Sequence, residues 1–92
     1  MAELPIQLLK QIMNIKIESF GAIQRLLPEQ LSLQHTVESS IDDVLAQVIR
    51  LYPDAHHLLE RCACAIGEDI VCRDKILLKD TVIVLLSPVA GG

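Results

Sequence analysis

Two segments near the start of the chain alternate apolar and polar residues. In residues 14–20 and again in residues 31–35, aliphatic side chains alternate with polar ones, which is typical of strands with one buried face. Gly21 and Pro28 interrupt the sequence between these segments. We therefore predict that the two strands pair as a hairpin.

The clearest helical pattern lies in the middle of the chain. Its apolar stripe recurs at spacings of three and four residues and consists of Ile41, Val44, Leu45, Val48 and Ile49. Either Ser39 or Ser40 is predicted to cap the N-terminus of this helix. Two aspartates lie in its first turn, where the positive end of the helix dipole stabilises negative charge. Pro53 ends this helix, and residues 55–61 are predicted to form a shorter helical segment.

The last third of the chain returns to strands. They are predicted at residues 63–66, 70–72 and 82–86. Residues 67–69 are a predicted turn, and residues 74–79 are interpreted as a connection that buries Ile76 and Leu77. Strands before and after one main helix favour an α+β fold with that helix on one face of the sheet.

The last predicted strand, residues 82–86, is apolar in both of its alternating sets. That pattern is typical of a sheet covered on both faces, but one main helix covers only one. Either residues 1–12 or a partner protein is therefore expected to cover the second face, and we favour the partner.

Composition narrows the classes of function. The chain has 92 residues, which fit one domain, and a net charge of −4. Its scattered cations do not form the basic face that binding to nucleic acid requires. The longest apolar run, Val82–Leu86, is far shorter than the roughly 20 residues of a membrane span, and no secretory signal is evident. We expect no nucleic-acid or membrane partner.

Three cysteines and two adjacent histidines are the conspicuous reactive side chains. Cys62, Cys64 and Cys72 are odd in number and lack paired spacing, which argues against a disulfide framework and favours a reducing cytoplasm. They also lack the four-ligand spacing of structural zinc, so no metal site is predicted. Burial of Cys62 and Cys64 is favoured over a persulfide relay. His56 and His57 are expected at a solvent-facing turn without a catalytic role.

The C-terminal segment carries the most specific motif. Residues 85–92 read LLSPVAGG, and the main helix ends in RLYP at residues 50–53. With the order of predicted elements, these motifs make residues 14–92 resemble the small subunit of molybdopterin synthase, the sulfur carrier of molybdenum-cofactor biosynthesis. Members of that family typically end in a hydrophobic strand, one or two prolines, Val, a small residue and Gly-Gly.

The resemblance implies a ubiquitin-like β-grasp fold, with a mixed sheet, one main helix packed on one face and a flexible Gly-Gly tail. It divides the chain into an N-terminal extension (1–12), a β-grasp domain (13–87) and a C-terminal tail (88–92). The extension has no counterpart in the family, and translation from Met13 is an open alternative.

The family's reacting group is the C-terminal carboxylate, which corresponds to Gly92. The resemblance implies that an ATP-dependent adenylating enzyme activates Gly92 and that a sulfur donor protein converts it to a thiocarboxylate. The large synthase subunit then transfers this sulfur to cyclic pyranopterin phosphate to form the molybdopterin dithiolene. The chain is thus expected to bind no cofactor and to act as a cosubstrate, not an enzyme, within a heterotetramer of two large and two small subunits.

The tail residues suit this task. Gly91 lacks a Cβ and gives the tail flexibility, while Pro88 stiffens its exit from the sheet. Four residues after Pro88 reach roughly 13–14 Å when fully extended. The partner interface implied by the resemblance consists of Phe20, Ile70, Leu86, Pro88 and Val89. The alternative for the first three is an ordinary place in the core.

Two turns depart from the family pattern. Residues 79–81 read Lys-Asp-Thr where Asp-Gly-Asp is usual, and residues 67–69 read Gly-Glu-Asp where an Asn is usual. Two other functions remain open. One is a sulfur carrier of the same fold for cysteine or thiazole (thiamine) biosynthesis, and the other is a ubiquitin-like interaction module whose tail is inert or ligated to lysines.

Overall fold

Residues 11–88, which are the part of the chain that a computed structural model describes, form seven strands and two α-helices. The strands are β1 (Ile12–Phe20), β2 (Leu31–Thr36), β3 (Ser39–Ser40), β4 (Ala63–Ile66), β5 (Asp69–Val71), β6 (Ile76–Leu77) and β7 (Thr81–Leu86). The helices are α1 (Ile41–Leu51) and α2 (His56–Leu59), with 3-10 turns at Ala22–Arg25 and Pro53–Ala55. In this part of the chain no helix has the length and apolar character needed to cross a membrane.

The main sheet has five strands in the order β2-β1-β7-β4-β5. β1 and β7 lie parallel at its centre, and every other pair is antiparallel. The antiparallel β1–β2 pair confirms the predicted hairpin. This strand order, with parallel central strands and α1 packed on one face of the mixed sheet, confirms the predicted ubiquitin-like β-grasp fold.

The core lies between α1 and the sheet. The fully buried side chains that meet there from α1, β1 and β7 are Ile41, Val44, Leu45, Val48, Met13, Ile15, Ile17, Ile83 and Leu85. The helical stripe and the strand alternation seen in the sequence therefore describe two surfaces of one core. Aliphatic residues fill it almost entirely, which fits a chain with one Phe, one Tyr and no Trp.

Ser40 caps α1 through a reciprocal pair of hydrogen bonds. The Asp43 N–H donates to Ser40 Oγ at 3.0 Å, and the Ser40 N–H donates to Asp43 Oδ2 at 2.9 Å. This capping box decides between the two predicted caps in favour of Ser40. The backbone N–H of Ser40, followed by its side chain, lowers the pKa of Asp43.

We expect Ser40→Ala to lower the free energy of unfolding by about 1 kcal/mol, because the N–H of Asp43 loses its acceptor at the helix start. Chemical denaturation at neutral pH measures the change. Ser32→Ala is the control, since Ser32 is an exposed serine within β2. Equal stability of the two variants would contradict a capping role for Ser40.

The segment after β5 closes the N-terminal end of α1. The N–H of Ile41 donates to the carbonyl of Lys75 at 3.0 Å, and the N–H of Asp42 donates to the carbonyl of Arg73 at 2.9 Å. β6 also pairs with β3 in a separate two-stranded sheet. The predicted connection at residues 74–79 therefore contains a short strand.

The prediction that this segment buries both Ile76 and Leu77 is half wrong. Leu77 is 3% exposed, but Ile76 is 50% exposed. Successive side chains of a strand point to opposite faces, so the pairing of β6 with β3 buries only one of the two.

Three boundaries also differ from those predicted. β1 begins at Ile12, inside the segment assigned to the extension, because Ile12 pairs with Thr36. β5 ends at Val71, not at Cys72, and begins at Asp69, which pairs with Ile66. The second helical segment ends at Leu59.

Candidate functional site: an apolar sheet face beside the tail root

The sheet face opposite α1 carries two rows of apolar side chains. Residues that lie directly opposite one another on neighbouring strands share a face, and the register places six apolar residues in this way. We call this set the outer apolar face; its rows are Phe20, Leu86 and Ala63, and Val84, Ala65 and Ile70.

Large side chains of this face are open to solvent. Phe20 is 50% exposed and Ile70 is 66% exposed, while Leu86 is partly exposed. The alternative that Phe20 and Ile70 are core residues is therefore excluded. The two apolar sets of β7 lie on opposite faces of the sheet, since Ile83 and Leu85 face the core while Val84 and Leu86 face outward. What covers the outward set stays a prediction. Exposed apolar patches of this kind mark interaction surfaces.

The tail root, which consists of Ser87 and Pro88 directly after β7, lies at the edge of the outer apolar face. After Leu86, the Ser87 N–H donates to the carbonyl of Phe20 at 3.0 Å, and Ser87 Oγ accepts the Ile23 N–H at 2.9 Å. Pro88 then follows and offers no N–H for a sheet ladder. The chain consequently leaves the sheet at the end where Phe20 and Leu86 are neighbours.

Three residues predicted for the tail and its interface lie outside the described residues. They are Val89, Gly91 and Gly92. Their roles in partner contact, flexibility and thiocarboxylate chemistry stay predictions. Of the predicted interface, Phe20, Leu86 and Pro88 lie together at the tail root, and Ile70 lies in the second row, toward the β5 edge.

Gly21 makes the close approach at the tail root sterically allowed. Its φ of +88° and ψ of −154° belong to a region that only glycine adopts readily. A Cβ at this position would lie 3.0 Å from the Ser87 Cβ. The sequence marked Gly21 only as an interruption between two strands, because its contact with residue 87 is not visible in a local pattern.

We expect Gly21→Ala to lower the free energy of unfolding by about 3 kcal/mol, since backbone strain and a steric clash with Ser87 add together. Gly67→Ala is the matched control. Gly67 has a φ of +61°, but nothing lies within 4 Å of its added Cβ, so strain alone should cost about 1 kcal/mol. Denaturant titration compares the two variants, and equal losses would show that the contact with Ser87 carries no penalty.

The cysteines do not form a reactive pair. Cys62 and Cys64 are buried, as predicted, while Cys72 is exposed. Burial raises the pKa of both buried thiols, which disfavours the nucleophilic thiolate that a persulfide relay requires. Within residues 11–88 no group of three or more side chains is arranged to hold a metal ion.

Both histidines lie on α2. His56 Nε2 is 2.8 Å from Glu60 Oε1, and both side chains are more than half exposed. His57 is exposed as well. The predicted solvent-facing position is confirmed.

A model of the ThiS family matches residues 17–92. The chain belongs to the ThiS family. It therefore shares the ubiquitin-like fold of the small sulfur carriers of this family, and the match includes the Gly-Gly end of the chain. Among curated proteins, none matches this ThiS-family chain significantly in sequence.

Solved structures agree with this assignment. The chain is 26% identical to a protein in a complex of subunits 1 and 2 of the molybdopterin-converting factor from Helicobacter pylori, with a TM-score of 0.61, covering 87% of this chain and 100% of that one. It is 13% identical to a putative molybdopterin converting factor subunit 1 from Pyrococcus furiosus, with a TM-score of 0.73 and coverages of 84% and 99%. It is 10% identical to SAMP1 from Haloferax volcanii, with a TM-score of 0.76, covering 86% of this chain and 99% of that one. The last two likenesses show the fold alone.

Proposed function

We propose that this ThiS-family chain is the sulfur-carrier subunit of a molybdopterin synthase. One observation carries the proposal: the family match extends to Gly92 in a chain that is 26% identical to a protein solved in a complex of molybdopterin-converting factor subunits 1 and 2. The position of the outer apolar face beside the tail root supports it independently, because a partner bound to that face lies where the tail emerges.

The proposed chemistry takes place at the C-terminal carboxylate. A carboxylate is a poor acyl donor, since its oxygen is a poor leaving group. An adenylating enzyme uses ATP to attach AMP to Gly92 and releases pyrophosphate. A sulfur donor then displaces AMP and leaves a thiocarboxylate. The ATP binds to the activating enzyme, so the carrier itself needs neither a cofactor nor a catalytic side chain.

The proposed partner is the large subunit of the synthase. Phe20, Ile70 and Leu86 would be covered by an apolar surface of that subunit, with Pro88 and Val89 at the entrance to its active site. The four residues after Pro88 reach roughly 13–14 Å, so the reacting sulfur can enter a pocket while the β-grasp domain stays outside. Aromatic and aliphatic anchors of this kind commonly dominate the binding energy of an interface.

Reconstitution of thiocarboxylate formation and of sulfur transfer from purified components tests the proposal. The chain, with a free C-terminus, is incubated with ATP, an adenylating enzyme and a sulfur donor, and its intact mass is measured. We expect the increase that corresponds to one sulfur in place of one oxygen. The product is then mixed with the large subunit and cyclic pyranopterin phosphate, and formation of the dithiolene is followed.

The outcomes separate the candidate functions. A chain that gains no sulfur under conditions that convert a known carrier is not a sulfur carrier. A chain that gains sulfur but forms no dithiolene belongs to another pathway, such as cysteine or thiazole biosynthesis. Attachment of the C-terminus to lysine side chains would instead identify a ubiquitin-like modifier.

A further inference from the structure

A chain of hydrogen bonds connects the tail root to two other elements. The Ile23 N–H donates to Ser87 Oγ at 2.9 Å. Cys62 Sγ lies 3.4 Å from the carbonyl oxygen of Leu58 and 3.8 Å from Ser87 Oγ. Because a carbonyl only accepts, the thiol proton of Cys62 points to Leu58, and the Ser87 hydroxyl is left to donate to the sulfur. Ser87 thus both accepts and donates.

The groups that hold Ser87 are themselves held in place. Arg73 donates to the carbonyl of Leu59 at 2.5 Å and to the carbonyl of Cys62 at 3.0 Å, which fixes the segment between α2 and β4. On the other side, the Ile23 N–H belongs to the 3-10 turn that follows Gly21. Ser87 is therefore bound from two directions by side-chain contacts, in addition to its ladder bond with Phe20.

These side-chain contacts exceed what the end of a strand requires. Pro88 alone stops the ladder, and the ladder bond from the Ser87 N–H is already present. The additional contacts of the Ser87 side chain restrict the orientation of the backbone at Ser87, the last residue before Pro88. Pro88 has a fixed φ, so an orientation set at Ser87 is carried through Pro88.

We propose that Ser87 is a positioning residue for the C-terminal tail, whose hydrogen bonds to Ile23 and Cys62 set the direction in which the tail leaves the sheet. This inference rests on the proposed carrier function. A tail that starts in a fixed direction searches a smaller volume, so its carboxylate reaches the reacting position in a docked enzyme more often. Small errors of placement lower reaction rates strongly, because catalysis depends on near-attack geometry.

Steady-state kinetics of thiocarboxylate formation test this role. With the full chain as the varied substrate, we expect Ser87→Ala to lower kcat on the order of tenfold and to leave KM nearly unchanged, because the substitution alters the start of the tail and leaves the rest of the protein surface intact. Ser40→Ala is the matched control. It also removes a serine oxygen that accepts a backbone N–H, but it does so at the start of α1 and not at the tail root. It should keep both constants.

A second pair of variants tests the hydrogen-bond chain itself. Cys62→Ser keeps a group that donates to Leu58 and accepts from Ser87, so it should retain kcat. Cys62→Ala removes that group and should lower kcat as much as Ser87→Ala is expected to. Equal kcat values for the two Cys62 variants, or a kcat of Ser87→Ala no lower than that of Ser40→Ala, overturn the proposal.

Backbone dynamics provide a readout that does not depend on activity. Amide order parameters of Ser87 and Val89, measured by NMR relaxation, should fall in Ser87→Ala and stay unchanged in Ser40→Ala. Unchanged order parameters overturn the positioning role even if the chain carries sulfur. If the wild-type chain gains no sulfur but the order parameters fall as expected, the proposed carrier function fails while the positioning of the tail stands.

Discussion

Deletion of Gly92 should abolish sulfur transfer and leave the free energy of unfolding nearly unchanged. The deletion moves the terminal carboxylate back by one residue, or roughly 3.5 Å, which is too far for reaction in a site built for the full tail. The sheet, helices and core that the structure describes consist of residues within 11–88, so we expect stability not to depend on the last residue. Intact mass after activation and denaturant titration measure the two effects.

Gly92→Ala is a second test of the same residue, because it keeps the length of the tail and adds only a methyl group. We expect it to reduce sulfur transfer strongly through steric hindrance in the partner's pocket, again without a change in stability. A loss of several kcal/mol in the deletion variant would show that the tail is structural, and the proposed free tether would be wrong.

Ile70→Glu should weaken binding to the large subunit on the order of 100-fold. The substitution places a carboxylate in the outer apolar face, where docking would remove it from water without a partner charge. Isothermal titration calorimetry with the purified large subunit measures the change. Because Ile70 is exposed in the free chain, its replacement should leave the free energy of unfolding nearly unchanged.

Leu78→Glu is the matched control for Ile70→Glu. Leu78 and Ile70 are both 66% exposed, and both variants add one negative charge to the same chain. Leu78 precedes β7, whereas the tail root follows β7, so Leu78 lies toward the opposite end of that strand. Wild-type affinity for Leu78→Glu is expected. Equal losses for the two variants would mean that charge, not the outer apolar face, governs binding.

Local sequence patterns were sufficient for the main elements of the fold. The boundaries of α1 follow from its apolar stripe and its cap, because both depend on residues within a few positions of one another. The outer apolar face was predicted from a single strand, since β7 is apolar in both alternating sets and one helix covers one face. The Gly-Gly end and the motif before it indicated a small sulfur carrier of ubiquitin-like fold, and the match to the ThiS family confirms that class.

Contacts between distant residues were not predictable in this way. β6 was missed because its strand geometry depends on pairing with β3, and the exposure of Ile76 follows from that pairing. At the tail root, Ser87 and Ile23 are 64 residues apart in sequence, and Ser87 and Cys62 are 25 apart. No periodicity links residues across such separations.

The sequence by itself thus determined the class of fold, the helix and the second apolar face, and its resemblance to a known family led to the chemistry proposed for Gly92. These features depend on periodicity, on capping and on a motif that is continuous in the chain. Only the tertiary structure showed that the outer apolar face adjoins the tail root and that Ser87 is held by Ile23 and Cys62. The physical reason is that sheet register and folding bring these residues together, and neither is encoded in a local pattern.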